Sequence, residues 1–187
     1  KNIEVKEIKN FNNHFNNLFI AINELGMDVL KIIAVMLNKD SNFFNPWAAK
    51  GNSLLRLIHY PPVTNNSNKL RARAHEDINL ITLLVGAEES GLEVKSKKGT
   101  WVPIKASSNA IVCNIGDMMQ LVTDGLLLST THRVISYPES QSKSRYSMPF
   151  FLHPSPDIIL KSIFDETDEG VLADDFLTER LKAIKLY

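Results

Sequence analysis

Between residues 53 and 160 the chain is a succession of short β-branched and aromatic runs punctuated by turn residues, which confines it to a mainly β fold. The runs cover 53–60, 74–85, 92–95, 101–105, 110–114, 127–137, 145–152 and 158–160. Lys97-Lys98-Gly99 joins two of them as a hairpin, and Asp124-Gly125 turns the chain again. Many short strands at regular spacing predict a barrel or sandwich. No repeat or low-complexity stretch interrupts them; 65–69 is only a polar loop.

The flanks read differently. Phe15, Leu18, Phe19, Ile22, Leu25, Val29, Ile32, Ile33 and Met36 recur at spacings of three and four, which predicts a helix over 1–37 with that stripe buried. Asn12, Asn13, Asn16 and Asn17 fill its wet side, and Gly26 marks a close contact or slight bend. Residues 38–52 read as loop or a short helical turn. Asp117 after Gly116 looks like the cap of one helical turn through Met118, Met119 and Leu121. A closing helix is expected over 173–186, with Phe176, Leu177, Leu181 and Ile184 as its buried edge.

With 187 residues, 44% of them apolar, one core-forming domain is expected. The 21 basic and 21 acidic residues balance without a charged block, which argues against nucleic acid or an anionic membrane as partner. A small molecule fits better. Cys113 is the one cysteine, so no internal disulfide forms and a reducing, cytoplasmic setting is expected. Its apolar surroundings predict a buried, inert thiol. No apolar run approaches the roughly 20 residues that span a bilayer.

Chemistry concentrates in three places. In an extended strand, side chains two apart share a face, so His75 and Asp77 can grip one ion while Glu76 points away. His132, from another strand, would add a second imidazole. Two histidines and one carboxylate on one side of an ion leave its other positions open, the arrangement of non-haem Fe(II) oxygenases. Zinc accepts the same ligand types, so a hydrolase stays open on these residues. Arg145 and Ser147 repeat the two-residue spacing at the mouth of the core-like run Met148-Pro149-Phe150-Phe151-Leu152. A guanidinium fork there matches a carboxylate. The remaining candidates have plainer readings: His59 packed or hydrogen-bonded, His14 solvated, His153 at a strand end, Trp47 and Trp101 in packing, and the methionines as core fillers.

Seven segments in order carry a family resemblance: Leu55-Arg56-Leu57-Ile58-His59-Tyr60-Pro61-Pro62, His75-Glu76-Asp77 with Leu80-Ile81-Thr82, Gly91-Leu92-Glu93-Val94, Trp101-Val102 with Ile104, Asn114-Ile115-Gly116-Asp117-Met118, Thr131-His132-Arg133-Val134, and Arg145-Tyr146-Ser147 with Pro149-Phe150-Phe151. Together they resemble the isopenicillin N synthase-like branch of the Fe(II)/2-oxoglutarate-dependent dioxygenases, over nearly the whole chain. The resemblance implies a double-stranded β-helix, a cupin-like jelly roll, over 53–160, with the helix and linker of 1–52 packed on it and a closing helix in 161–187. It implies His75, Asp77 and His132 as iron ligands. Arg145, Ser147 and Tyr60 would hold the distal carboxylate of 2-oxoglutarate, with dioxygen as co-reactant and ascorbate as a candidate reductant. The family couples decarboxylation of 2-oxoglutarate to succinate with oxidation of a substrate C–H bond. A monomer or weak homodimer is expected.

Two features depart from the pattern. Ile58 stands where many plant members carry Asn, so contact to the iron-proximal end of the cosubstrate is expected to differ. The family's N-terminal region, which helps cover the barrel, is absent ahead of the long helix, so the chain is expected to be a fragment or a shortened protein. Isopenicillin N synthase itself dispenses with 2-oxoglutarate and gives the Arg-x-Ser pair to its peptide substrate, which is one alternative. A non-catalytic or truncated binding module on the same scaffold is another.

Overall fold

A 26-residue helix, α1 (Phe11–Met36), opens the molecule and lies across the outer face of a β-sheet. The computed structural model describes residues 4–63, 70–86, 91–107, 109–138 and 142–184. The polar loop 65–69 and the last three residues of the chain, into which the closing helix was expected to run, lie outside them. After α1 come a single turn α2 (Asn45–Ala48), β1 (Leu54–Leu55), β2 (Ile58–Tyr60), β3 (Ala72–His75) and β4 (Ile81–Val85). There follow β5 (Leu92–Lys95), β6 (Trp101–Pro103), β7 (Val112–Ile115), α3 (Asp117–Val122), β8 (His132–Val134) and β9 (Arg145–Leu152). β10 (Ile159–Leu160), β11 (Val171–Leu172) and α4 (Ala173–Ala183) close the chain.

Two antiparallel sheets make a jelly roll, as expected. One has the order β1-β9-β4-β7, with β2 also on β9, and the other the order β3-β8-β5-β6. The Lys97-Lys98-Gly99 hairpin joins β5 to β6, with Gly99 at φ +82°. The main apolar core does not lie between the sheets. It lies behind the first one, where Ile22, Leu30 and Ile33 of α1 and Met118, Met119 and Val122 of α3 meet Ile81, Leu83, Phe150 and Leu152. Phe150 is fully buried with Phe19 edge-on at 5.4 Å, and burial of such a ring contributes about 2–3 kcal/mol. Among the described residues, only a small buried cluster forms between the sheets, of Leu84, Leu92 and Val134. The space beside it is left for polar side chains.

Several expectations change at this level. The run 53–60 is two strands, because the ladder to β9 breaks opposite Pro149, which has no N–H to donate. Register is kept across the break: Leu55 faces Phe150 and Ile58 faces Ser147. The run 74–85 is also two strands, and they belong to different sheets, so residues 76–80 cross the sandwich. Within 127–137 only His132–Val134 pairs as strand. α1 starts at Phe11 rather than at the first residue, after Asn10 turns left-handed at φ 60°. Leu25, Ile32 and Met36 are exposed; Ile22 and Ile33 of the expected stripe are buried, and Gly26, Leu30 and Ala34 complete the buried column. A Cβ on Gly26 would come within 2.5 Å of Leu152 Cδ1, so this glycine is where the helix presses closest on β9. Ile184 is likewise exposed. Cys113 is exposed on β7, an edge strand, although nearby groups still desolvate the thiol and raise its pKa. No described helix is long and apolar enough to cross a membrane.

The crossing segment is held by α3. Asp117 N–H donates to the Asp77 carbonyl at 2.7 Å, and Gly116 N–H to that of Leu80 at 3.0 Å. Asn79, with no exposed surface, donates from Nδ2 to the Ile81 carbonyl at 2.9 Å and to Thr82 Oγ1 at 3.0 Å. Gly116, not Asp117, caps α3; Asp117 is buried in the first turn and pairs with Arg180 of α4. A Cβ on Gly116 would stand 2.0 Å from the Asn79 carbonyl oxygen, a backbone atom with nowhere to go. Gly116→Ala is therefore expected to cost about 3 kcal/mol and to lower Tm by roughly 5–10 °C, readable by calorimetry. An unchanged Tm would mean that the contact relaxes freely.

Candidate functional site

A cavity of about 190 Å³ opens between the two sheets, and all six side chains singled out from the sequence line it: Tyr60, His75, Asp77, His132, Arg145 and Ser147. β3 and β8 bring the two histidines side by side, since His75 and His132 are direct cross-strand partners with ring centroids 4.3 Å apart. Asp77 does not share a strand with His75, as the two-residue alternation supposed. It lies just beyond β3, where the chain crosses between sheets, and the α3 contacts fix it there. Its Oδ1 comes within 3.8 Å of His132 Nε2. One ligand atom from each of His75, Asp77 and His132 falls within 4.8 Å of the others.

The imidazoles are oriented from behind. His75 Nδ1 sits 2.7 Å from the Arg73 carbonyl and His132 Nδ1 3.1 Å from that of Thr130. A carbonyl oxygen only accepts, so each Nδ1 carries the proton and each Nε2 presents its lone pair to the cavity. Asp77 is 7% exposed, and its Oδ2 is buried without a hydrogen-bond partner among the described residues. A buried carboxylate oxygen with nothing to bond is costly unless something cationic occupies the space before it. Two imidazole lone pairs and a carboxylate are a donor set for a divalent transition metal, so these residues fit a metal ion.

The other half of the cavity is built by β9 and β2. Odd residues of β9 turn inward, so Arg145, Ser147, Pro149 and Phe151 form one column. Tyr60 pairs with Arg145 across the strands, and its ring lies 5.3 Å from the guanidinium carbon. Arg145 is the largest fully buried side chain described, at 2% exposure, and Ser147 is 4% exposed. A buried guanidinium fork and a hydroxyl on one face are built to receive a carboxylate.

Sequence reasoning passed over Arg56, Thr82, Asn114 and Phe151, which also line the cavity. The signal was present: continuing each strand's alternation from Tyr60 to Arg56 and from Ser147 to Phe151 reaches two of them. Thr82 and Asn114 face each other across β4 and β7. His59 points outward, 3.0 Å from Ser144 Oγ and stacked on Tyr146. His14 is solvated as expected. His153 follows β9, and its burial lowers the imidazole pKa to about 4 against the opposing pull of Asp77. Trp101 carries the Arg133 guanidinium at 4.0 Å, and Trp47 packs with Phe43 and Phe44.

The geometry has counterparts. Residues 51–154 match the family model of the 2OG-Fe(II) oxygenase superfamily. A 2-oxoglutarate-Fe(II) type oxidoreductase of Emericella nidulans, hxnY, is 32% identical over 163 residues, covering 85% of this chain and 46% of the relative. A full-length Neurospora crassa protein, solved in complex with alpha-KG and thymine, superposes with a TM-score of 0.89 at 30% identity, over 98% of this chain and 60% of that one. A Caulobacter crescentus protein assigned to the 2OG-Fe(II) oxygenase family reaches a TM-score of 0.91 at 41% identity, over 98% and 63%. The chain spans about half the length of the curated relatives it matches. The fold, the matched span and the inward-facing triad together place this chain in the 2OG-Fe(II) oxygenase superfamily.

Proposed function

We propose that this chain carries the catalytic core of a dioxygenase that uses Fe(II), 2-oxoglutarate and dioxygen to oxidise a C–H bond of a small molecule, with release of succinate and CO2. One coincidence in space carries the reading: a His75–Asp77–His132 cluster and the buried Arg145–Ser147 pair line the same cavity. Zinc would accept the three ligands. The buried cationic fork beside them favours a dicarboxylate cosubstrate, which can reach the metal with one end and Arg145 with the other.

In this reading His75, Asp77 and His132 would hold the metal ion. Arg145 and Ser147, with Tyr60 beside them, seat the distal carboxylate. Bound together, the ferrous ion and 2-oxoglutarate supply the redox chemistry that activates dioxygen. The protein's own part is placement. The Arg73 and Thr130 carbonyls fix the histidine tautomers, and Leu84, Leu92 and Val134 give the space between the sheets an apolar wall. Ile58 gives an apolar wall between Tyr60 and Arg56 and donates no hydrogen bond from its side chain. Ferrous iron and a reduced Cys113 suit a reducing, cytoplasmic setting.

The test is succinate. Protein supplied with Fe(II), ascorbate and 2-oxoglutarate in air is expected to release it slowly without a second substrate, and faster with the correct one. Metal binding with neither 2-oxoglutarate binding nor succinate, across a broad panel of small acids, would sink the reading.

A further inference from the structure

The histidine pair and Asp77 are held by different parts of the fold. His75 and His132 form the last rung of the β3–β8 ladder, and that ladder shifts register between Ala72 and His75. Asp77 lies past it, on the crossing segment whose backbone is bonded to α3. The ladder supplies no rung between Asp77 and β8. A side-chain bond spans that gap: Thr131 Oγ1 donates to Glu76 Oε1 at 2.5 Å. Glu76 stands between His75 and Asp77, and Thr131 immediately precedes His132. Alternation turns both away from the cavity, and neither lines it.

Thr131 offers Glu76 a firm partner. Its carbonyl accepts from Lys95 N–H at 2.8 Å, at the end of β5. Beyond His132, Arg133 Nε donates to the buried Glu93 carboxylate at 2.8 Å, and Tyr137 Oη–H donates to the same group at 2.9 Å. β8 is therefore pinned to β5 on both sides of His132, and Glu76 reaches that pinned strand from the crossing segment. Glu76 is exposed and Thr131 half-buried, and a hydrogen bond facing water adds little to the stability of a fold. A metal site is less forgiving. Its ligand atoms must lie within roughly 0.2 Å of their coordination distances.

We infer that the Glu76–Thr131 hydrogen bond is a positioning device for the metal site, setting the spacing of Asp77 against His132 and with it the affinity for the ion. Neither residue touches the ion or the cosubstrate. The inference rests on the reading of His75, Asp77 and His132 as metal ligands.

The experiment measures Mn(II) affinity of the full chain by electron paramagnetic resonance, which needs no turnover because the signal of free Mn(II) fades on binding. Thr131→Val keeps shape and charge and removes only the hydroxyl, so it isolates the hydrogen bond. It is expected to weaken Mn(II) binding by about tenfold and to change the spectrum of the bound ion. Thr131→Ser keeps the hydroxyl and should stay within about twofold of the parent chain. Glu76→Ala also removes a negative charge near the ion, so its loss should be at least as large. The double variant should lose no more than Glu76→Ala alone, since both changes delete one bond. In every variant the metal-free Tm should stay within about 3 °C of the parent. Parental Mn(II) affinity in Thr131→Val, or additive losses in the double variant, overturns the inference. A metal-free Tm lowered beyond that margin in Thr131→Val also overturns it, by making the bond a support of the fold rather than of the site. If the parent chain itself fails to bind Mn(II), the metal-site reading falls and takes this inference with it.

Discussion

Asp77→Ala is expected to abolish ferrous binding and succinate formation while leaving the metal-free protein at least as stable as before. The two halves of that outcome have one cause. In the folded chain Asp77 is buried, with Oδ2 unbonded among the described residues, so the metal-free protein carries a buried carboxylate oxygen without a partner there. Deleting it removes a desolvation cost of about 1–3 kcal/mol and opens only a small void. The metal, however, loses its one anionic ligand. Changes to groups merely hydrogen-bonded to a ligand weaken metal sites by roughly 10–100-fold, so loss of the ligand should exceed about 100-fold, and turnover should fall below about 1%. Thermal unfolding separates the effects. A metal present at about 100 times its Kd adds about 2.7 kcal/mol, or roughly 5–10 °C for a chain of this size. The parent protein should gain that shift with Mn(II) and the variant should not. A variant that unfolds well below the metal-free parent, or still gains the full shift, would contradict the assignment. His75→Ala and His132→Ala should lose the shift in the same way.

Arg145→Gln is expected to weaken 2-oxoglutarate binding by about 10²–10³-fold with metal affinity unchanged. A charge-assisted hydrogen bond contributes about 1.5–3 kcal/mol, and a fork makes two of them to one carboxylate. At the lower end of that range, about 3–4 kcal/mol for the pair, their joint loss corresponds to roughly two to three decades in Kd. Gln is chosen over Ala because Arg145 fills the largest buried volume among the described side chains, and truncation would confound binding with collapse. Arg145→Lys keeps the charge but not the planar fork, so a smaller loss of about tenfold is expected. Calorimetry on the Mn(II)-loaded protein reads all three. Unchanged 2-oxoglutarate affinity in Arg145→Gln would favour an oxidase that gives this arginine to its organic substrate.

Much of the site was legible because it is written in strand alternation. β9 and β5 have the expected bounds, and the inward column of β9 holds Arg145 and Ser147 as the two-residue spacing required. His132 was legible only as an imidazole from another strand; its pairing with His75 is set by the β3–β8 register. Asp77 reached the site by another route. Two-residue spacing suggested a shared strand face, yet the chain changes sheets between His75 and Ile81, and hydrogen bonds from α3 hold Asp77 in place. That crossing depends on Asn79 and Gly116, whose contact joins residues far apart in the chain.

The helices were less legible. α1 carries apolar residues on more than one face, so periodicity alone selects several columns. Close approach to β9 selects the one with Gly26 and Ala34, whose small side chains let the backbone near. Leu25, Ile32 and Met36 fit the same period and stay outside. Cys113 misled because its run is apolar, while β7 closes the edge of its sheet and leaves that side chain exposed. Arg56 was read only as part of a motif, although the alternation that brings Tyr60 to the cavity reaches it as well.

The most direct test is anomalous diffraction at the iron edge from crystals grown anaerobically with Fe(II) and 2-oxoglutarate. One peak is expected within roughly 2.2 Å of His75 Nε2, an Asp77 carboxylate oxygen and His132 Nε2, with a 2-oxoglutarate carboxylate against Arg145 and Ser147. A peak elsewhere, or 2-oxoglutarate bound away from Arg145, would contradict the account.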